Sequence, residues 1–220
     1  LPAPASRVYA RLRAARRGRR LAAVEGDAAV TQAGPGAVPD DEVVDDGDVE
    51  QAALDRMLAE IEGQGECSGV VTDVSSPDSV NALADAVYDK YGVCHLLFNN
   101  AGVFYPKTVP DMTIEEWDET IDSSLKGAFL MSKYALPSMI ERGSGHIVNI
   151  SSVAGWLGAR GMASYCASKF GLRGFGESLS ADLQGTGVHV TNVYPSFSQT
   201  PILDSPQYGY EQKRTVPPHL

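Results

Sequence analysis

The sequence predicts a doubly wound α/β domain, a parallel sheet with helices on both faces. Three apolar runs, at residues 95–98, 146–150 and 188–193, read as strands buried on both sides rather than half-exposed ones. Segments with helical periodicity separate them, the arrangement that βαβ units require. At 220 residues the chain holds one sizeable domain of this kind and not comfortably two.

The regular pattern begins near Asp48. From Val49 to Ile61, apolar residues at Ala53, Leu54, Met57, Leu58 and Ile61 form a helical stripe, which Gly63 and Gly65 stop. Ser68 to Val74 reads as a short buried strand. Ser76-Pro77 supplies a cap and a first-turn proline for a helix to about Tyr91, and Gly92 ends it. A strand from His95 to Phe98 leads into Asn99-Asn100-Ala101-Gly102. Thr113 to Glu141 is a long helical region with Gly127 and Pro137 as its weak points. A strand at 146–151, a helix to about Gln184, a strand from Val188 to Val193 and then Pro195 complete the pattern.

Residues 1–47 lack this character. Residues 1–24 carry seven arginines and no acid, whereas residues 25–50 carry nine acids and no base. This head is expected to be poorly ordered or foreign to the fold, apart from a helix within Ser6 to Val24. An organelle-targeting peptide and a basic arm for nucleic acid or a membrane surface are the competing readings. An out-of-frame stretch fits the restricted composition best. Leu1 in place of methionine reads as a fragment or a processed product.

A net charge of −10 argues against a general nucleic-acid binder, which needs a basic surface. No apolar run reaches the roughly eighteen residues of a membrane span, so no membrane association is expected. Cys67, Cys94 and Cys166 match no zinc or disulfide spacing, which points to reduced thiols in a cytoplasmic protein. Cys166 is read as packing. His95, His146, His189 and His219 are scattered, and no metal is expected.

The chemistry concentrates between His146 and Gly176. Tyr165 and Lys169 stand four apart on one helix, so they share a face. An ammonium near a phenol favours the phenolate and lowers its pKa, which suits proton transfer near neutral pH. Ser152 lies at the carboxyl end of the preceding strand, where α/β sheets bind ligands. A tyrosine on a helix face with a solvated lysine one turn on is the bland alternative for the pair alone.

From about Asp48 to Leu220 the chain resembles the classical short-chain dehydrogenase/reductase family. The motifs are Asp73-Val74, Asn99-Asn100-Ala101-Gly102, Ser152, Tyr165-x-x-x-Lys169 and Pro195 to Thr200, each at the strand end or on the helix expected. The resemblance implies a Rossmann-like NAD(P)-binding domain over residues 48–220, incomplete at its N-terminus and C-terminal edge. It implies hydride transfer between NAD(P) and a carbonyl or secondary alcohol, with Tyr165 as general acid/base and Lys169 lowering its pKa and bonding the nicotinamide ribose. Ser152 would orient the substrate oxygen. Asp73 and Val74 would flank the adenine, Asn100, Ala101 and Gly102 would line the cofactor cleft, and Pro195 and Thr200 would flank the nicotinamide amide. Asp48 would bind the adenosine ribose hydroxyls, which favours NAD over NADP. Homo-oligomers are expected through the helices carrying Ser124 and Tyr165.

Three departures accompany the match. The family's Thr-Gly-x-x-x-Gly-x-Gly loop is missing, and Thr31-Gln32-Ala33-Gly34-Pro35-Gly36 lies too close to Asp48 to leave room for a helix and a strand. Its proline also removes a backbone donor. Ser124 replaces the asparagine that helps hold a water between the lysine and solvent, and Ser196 replaces a glycine. The alternative reading is therefore a fold-retaining relic that binds cofactor poorly. The substrate-facing candidates are Val153 to Ser164, Phe104, Tyr105 and Ile202 to Tyr210. They are mostly apolar, which fits a hydrophobic small molecule.

Overall fold

A computed structural model describes residues 20–25, 29–33, 54–55, 58–59 and 67–196 of the chain. Six strands form one sheet: β1 (Arg20–Glu25), β2 (Ala29–Ala33), β3 (Cys67–Thr72), β4 (Leu96–Asn99), β5 (Gly145–Ile150) and β6 (Val188–Val193). Their order is β3-β1-β2-β4-β5-β6. From β2 through β4 and β5 to β6 every pairing is parallel, as βαβ connections impose.

The head differs from expectation. Arg20–Glu25 is strand rather than the helix anticipated within Ser6 to Val24, and Ala29–Ala33 is a second strand. Only a short connection separates the two, so they pair antiparallel, Leu21 opposite Ala33 and Glu25 opposite Ala29. β1 is antiparallel to β3 as well, Arg20 opposite Thr72. The hairpin therefore fills the second and third places of the sheet, between β3 and β4. An Ala/Arg-rich stretch shows no strand periodicity in sequence; its pairing comes from the open edges on either side.

Among the described residues, four α-helices follow from Pro77 onward. Helix α1 (Pro77–Tyr91) starts where anticipated: Ser76 Oγ accepts from Ser79 N, and Gly92 closes it in the left-handed region at φ 72°. Helix α2 (Ile114–Ile121) opens with a capping box between Thr113 and Glu116. It runs through a π-helical turn, Asp122–Lys126, into α3 (Gly127–Arg142), which continues past Pro137. The irregularity thus falls at residues 122–126, ahead of the two positions sequence marked as weak. Helix α4 (Ala163–Asp182) carries Tyr165 and Lys169.

The core lies between one sheet face and helices α1, α3 and α4. Val80, Leu83 and Val87 of α1 meet Met131, Ala135 and Met139 of α3 over Leu97, Ile147 and Val188. Burial of each large side chain here contributes about 1.5–3 kcal/mol. The opposite face is met by the helical residues near 54, where Leu54 presses on Gly69. At the other end of the sheet, between β5 and β6, register brings together two histidines that stand far apart in sequence: His146 and His189 lie opposite one another with ring centroids 6.1 Å apart. His146 Nε2 is 2.8 Å from Thr191 Oγ1.

Beneath α3 and α4 the same register builds a polar ladder. Asn99 Nδ2 donates to Asn149 Oδ1 at 2.9 Å, and Asn149 Nδ2 donates to Asn192 Oδ1 at 3.0 Å. Asn99 also reaches Ser132 of α3 at 3.3 Å. Gly176 of α4 closes the ladder, because a Cβ there would overlap the Asn149 and Asn192 amides. Three adjacent strand ends are thereby held level on the side where the candidate site opens.

Candidate active site

The site grows from the carboxyl ends of β4, β5 and β6. After Ile150 the chain leaves the sheet: Ser151 N donates to Val193 O at 2.8 Å, and Val153 N donates to Pro195 O at 3.0 Å. These bonds tie the Ser152 loop to the exit of β6, and so place Pro195 beside Ser152. Ser152 itself is extended, and its Oγ accepts from Ala154 N at 3.1 Å. A short 3-10 turn, Val153–Gly155, then packs on α4. Gly155 permits this approach, since a Cβ would strike Ser151 Oγ and the Lys169 backbone.

Burial raises the Tyr165 phenol above its ordinary pKa of 10.0; the neighbouring Ser152 side chain pulls it back only in part, and Cys166 adds a smaller upward push. The Lys169 ammonium donates to Ile150 O at 2.9 Å, and its Nζ lies 5.6 Å from the Tyr165 ring centroid. Lys169 is 4% exposed, and burial brings its own pKa down from 10.5 to about 8. Desolvation thus governs both groups.

Gly102 joins the third motif to this pair. A Cβ on Gly102 would lie 2.8 Å from Ser124 Oγ and 3.5 Å from Lys169 Nζ, so the residue must lack one. Ser124 comes from the π-helical turn, where Ser123 and Ser124 are both buried. Among the described residues, Ser124 Oγ and Ser164 Oγ are the buried side-chain oxygens with no hydrogen-bond partner. Ser124, Gly102, Lys169, Tyr165 and Ser152 therefore form one contiguous constellation drawn from α2–α3, the exit of β4, α4 and the exit of β5.

The remaining anticipated residues lie around it. Asp73 ends β3, and its carboxylate accepts from Ser75 N at 2.9 Å and Ser75 Oγ at 2.6 Å. Val74 is fully buried against Gly127, and Ala101 belongs to the core, so each can offer a ligand its backbone alone. Asn100 is half-buried beside them. Asp48, Thr200 and the segment Ile202 to Tyr210 lie outside the described residues.

The glycine-bearing look-alike also gains a location. Thr31–Ala33 end β2, and Thr31 pairs with Phe98 of β4. Residues 34–36 lie outside the described set.

Aromatic side chains flank the site. Phe104 packs on Tyr165 with ring centroids 5.0 Å apart, and Trp156 meets Tyr194 edge-on at 5.5 Å. Arg173 lies over the Trp156 ring, its Cζ 3.3 Å from the centroid. Tyr105 does not present its hydroxyl to the substrate side as anticipated; it donates to Glu119 of α2 at 2.5 Å. Sequence reasoning passed over Ser151, whose Oγ donates to Lys169 O at 3.0 Å, and the asparagine ladder. The serine pair at the strand exit was a usable signal for the first. The ladder needed the register.

Comparisons with known proteins point one way. The short chain dehydrogenase family profile matches residues 41–209. The 3-oxoacyl-[acyl-carrier-protein] reductase FabG of Thermotoga maritima is 35% identical over 72% of this chain and 65% of its own. The trans-4-hydroxycyclohexanecarboxylate dehydrogenase of Sinomonas cyclohexanicum is 36% identical over 64% of this chain and 54% of its own. The chain thus spans about two thirds or less of the curated relatives it matches. Among solved structures, a metagenomic short-chain oxidoreductase in complex with NADP is 34% identical, with a TM-score of 0.61 over 71% of this chain and 72% of that one. A short-chain dehydrogenase from Streptomyces avermitilis is 31% identical, with a TM-score of 0.63 over 68% of this chain and 54% of that one.

Proposed function

The chain belongs to the short-chain dehydrogenase family, and from that premise we propose an oxidoreductase that moves a hydride between NAD(P) and a carbonyl or secondary alcohol. The observation that carries this reading is that the exit of β5 brings Ser152 close to the Tyr165 phenol, with Lys169 buried against the same ring. A phenol kept protonated by burial is a proton donor in wait. In reduction Tyr165 gives its proton to the carbonyl oxygen, and Ser152 holds that oxygen by a second hydrogen bond. In oxidation the proton returns along the same line. The nicotinamide, when bound, supplies the hydride; the protein's part is position and proton.

The residues present fit such a cofactor. Gly102 leaves open the space between Ser124 and Lys169, and the orphaned Ser124 hydroxyl borders it. Asn100, Gly102, Lys169 and Pro195 would hold the nicotinamide end, with the backbone at Val74 and Ala101 beside Asp73 toward the adenine. The family resemblance adds Asp48 and Thr200. Ser124 would hold a water against Lys169 in place of the family's asparagine.

The substrate is a small hydrophobic molecule, in keeping with Phe104, Trp156 and Tyr194 around the site. Exposed Phe129 on α3 and Phe170 on α4 support a homo-oligomer joined through these helices. No helix among the described residues is long and apolar enough to cross a membrane. With the buried thiols of Cys94 and Cys166 this fits a cytoplasmic setting. The test is oxidation of a panel of secondary alcohols with NAD and with NADP, following nicotinamide absorbance. The Tyr165→Phe variant is expected to lose turnover by about 100-fold or more. Turnover that survives that change defeats the assignment, and absence of nicotinamide binding in a fluorescence titration supports the relic.

A further inference from the structure

Phe104, one of the apolar residues around the site, holds a position that the proton transfer alone does not explain. It stands just beyond Gly102, half-buried, with its ring tilted 59° to Tyr165 at 5.0 Å between centroids. Rings at that separation are in contact, and nothing fits between them. Lys169 crowds the same phenol ring from 5.6 Å. Tyr165 is therefore approachable mainly at its hydroxyl end, where Ser152 sits.

The segment bearing Phe104 is also fixed unusually firmly for a connecting loop. Tyr105 donates its hydroxyl to Glu119 at 2.5 Å. Lys107 pairs with Glu116 at 2.6 Å, and Lys107 N donates to Tyr105 O at 2.9 Å. Glu116 and Glu119 lie one turn apart on α2, so two carboxylates of a single helix clamp the residues on either side of Pro106. Glu116 also serves the capping box of that helix. Charge-assisted bonds of this kind are the strong ones, and they keep the chain from swinging Phe104 away.

We propose that Phe104 is a specificity-determining residue: a rigid wall on the β4 side of the Tyr165 hydroxyl that admits compact carbonyl substituents and rejects bulky ones. This rests on the reductase reading above. The wall acts through shape, in the way that pockets discriminate by added or missing carbon groups. It also shields the phenol from water, which makes it a positioning residue for Tyr165.

The experiment uses the full chain with NADPH and two ketones, cyclohexanone and the bulkier α-tetralone. Phe104→Ala is expected to raise the ratio of kcat/KM for α-tetralone over cyclohexanone by at least about tenfold. Phe104→Tyr keeps the ring and is expected to hold that ratio within about twofold. An unchanged ratio in an active Phe104→Ala protein overturns the proposal. If the unmodified chain reduces neither ketone, the reductase reading fails, and Tyr165 alone decides the case. Its titration is isolated as the difference in tyrosinate absorbance between the protein and its Tyr165→Phe variant. Phe104→Ala should move that titration down toward a free phenol; no movement overturns the wall.

Discussion

Lys169 carries its charge where water scarcely reaches. Its pKa of about 8, against 10.5 for a free lysine, means the unfolded chain holds that proton more tightly than the folded one. The ammonium therefore weakens the fold at pH 7 by roughly 3 kcal/mol. Stability should be flat below pH 8 and rise as pH climbs from about 8 to 10.5, where the unfolded chain also gives up its proton. Lys169→Met should be inactive and yet more stable to urea at neutral pH, with its advantage shrinking across that window. A variant less stable than the parent would mean that the bond to Ile150 outweighs desolvation. Such a cost, kept in a buried position, is what a functional site tends to show. The residue types Ser152, Tyr165 and Lys169 were legible because they sit at strand ends and on a helix face that periodicity reveals. The direction of the Tyr165 shift was not, since spacing reports neighbours and says nothing of burial.

Among the elements, caps and strand ends were the readable parts. Ser76-Pro77 and Gly92 bracket α1 as the sequence indicated, and β6 falls on the anticipated residues. The π-helical turn was not readable, because Asp122–Lys126 has the composition of an ordinary helix. Nor was the ladder of Asn99, Asn149 and Asn192, which arises only when three strands take one register. The ladder makes a strong demand on α4. Gly176→Ala would drive a methyl into two amides that cannot retreat without breaking their bonds, at a cost of about 1–3 kcal/mol. A matching drop in Tm is expected, while Gly174→Ala, where a Cβ meets nothing, should raise stability slightly. Equal effects at the two glycines would remove the ladder from the account.

For the whole molecule, the decisive feature is the hairpin set inside the sheet. β3 pairs with β1, and β4 with β2 on that side, so among the described strands the hairpin alone joins β3 to β4, β5 and β6. Deleting residues 20–33 should abolish cooperative thermal unfolding; an unaltered Tm would show that the head is dispensable. The sequence hid this role because RLAAVE and AVTQA are rich in alanine, which carries no β signature, and strands inside a sheet are chosen by their neighbours as much as by their own side chains.

Direction along the chain decides which chemical group a strand delivers to a cleft. Strands parallel to β4 deliver their carboxyl ends, where the family resemblance looks for an acid to meet the adenosine ribose. β1 runs the other way, and its amino end, at Arg20, pairs with Thr72 next to Asp73. Beside Asp73 this sheet therefore presents the amino end of a strand, where the resemblance looks for a carboxyl end.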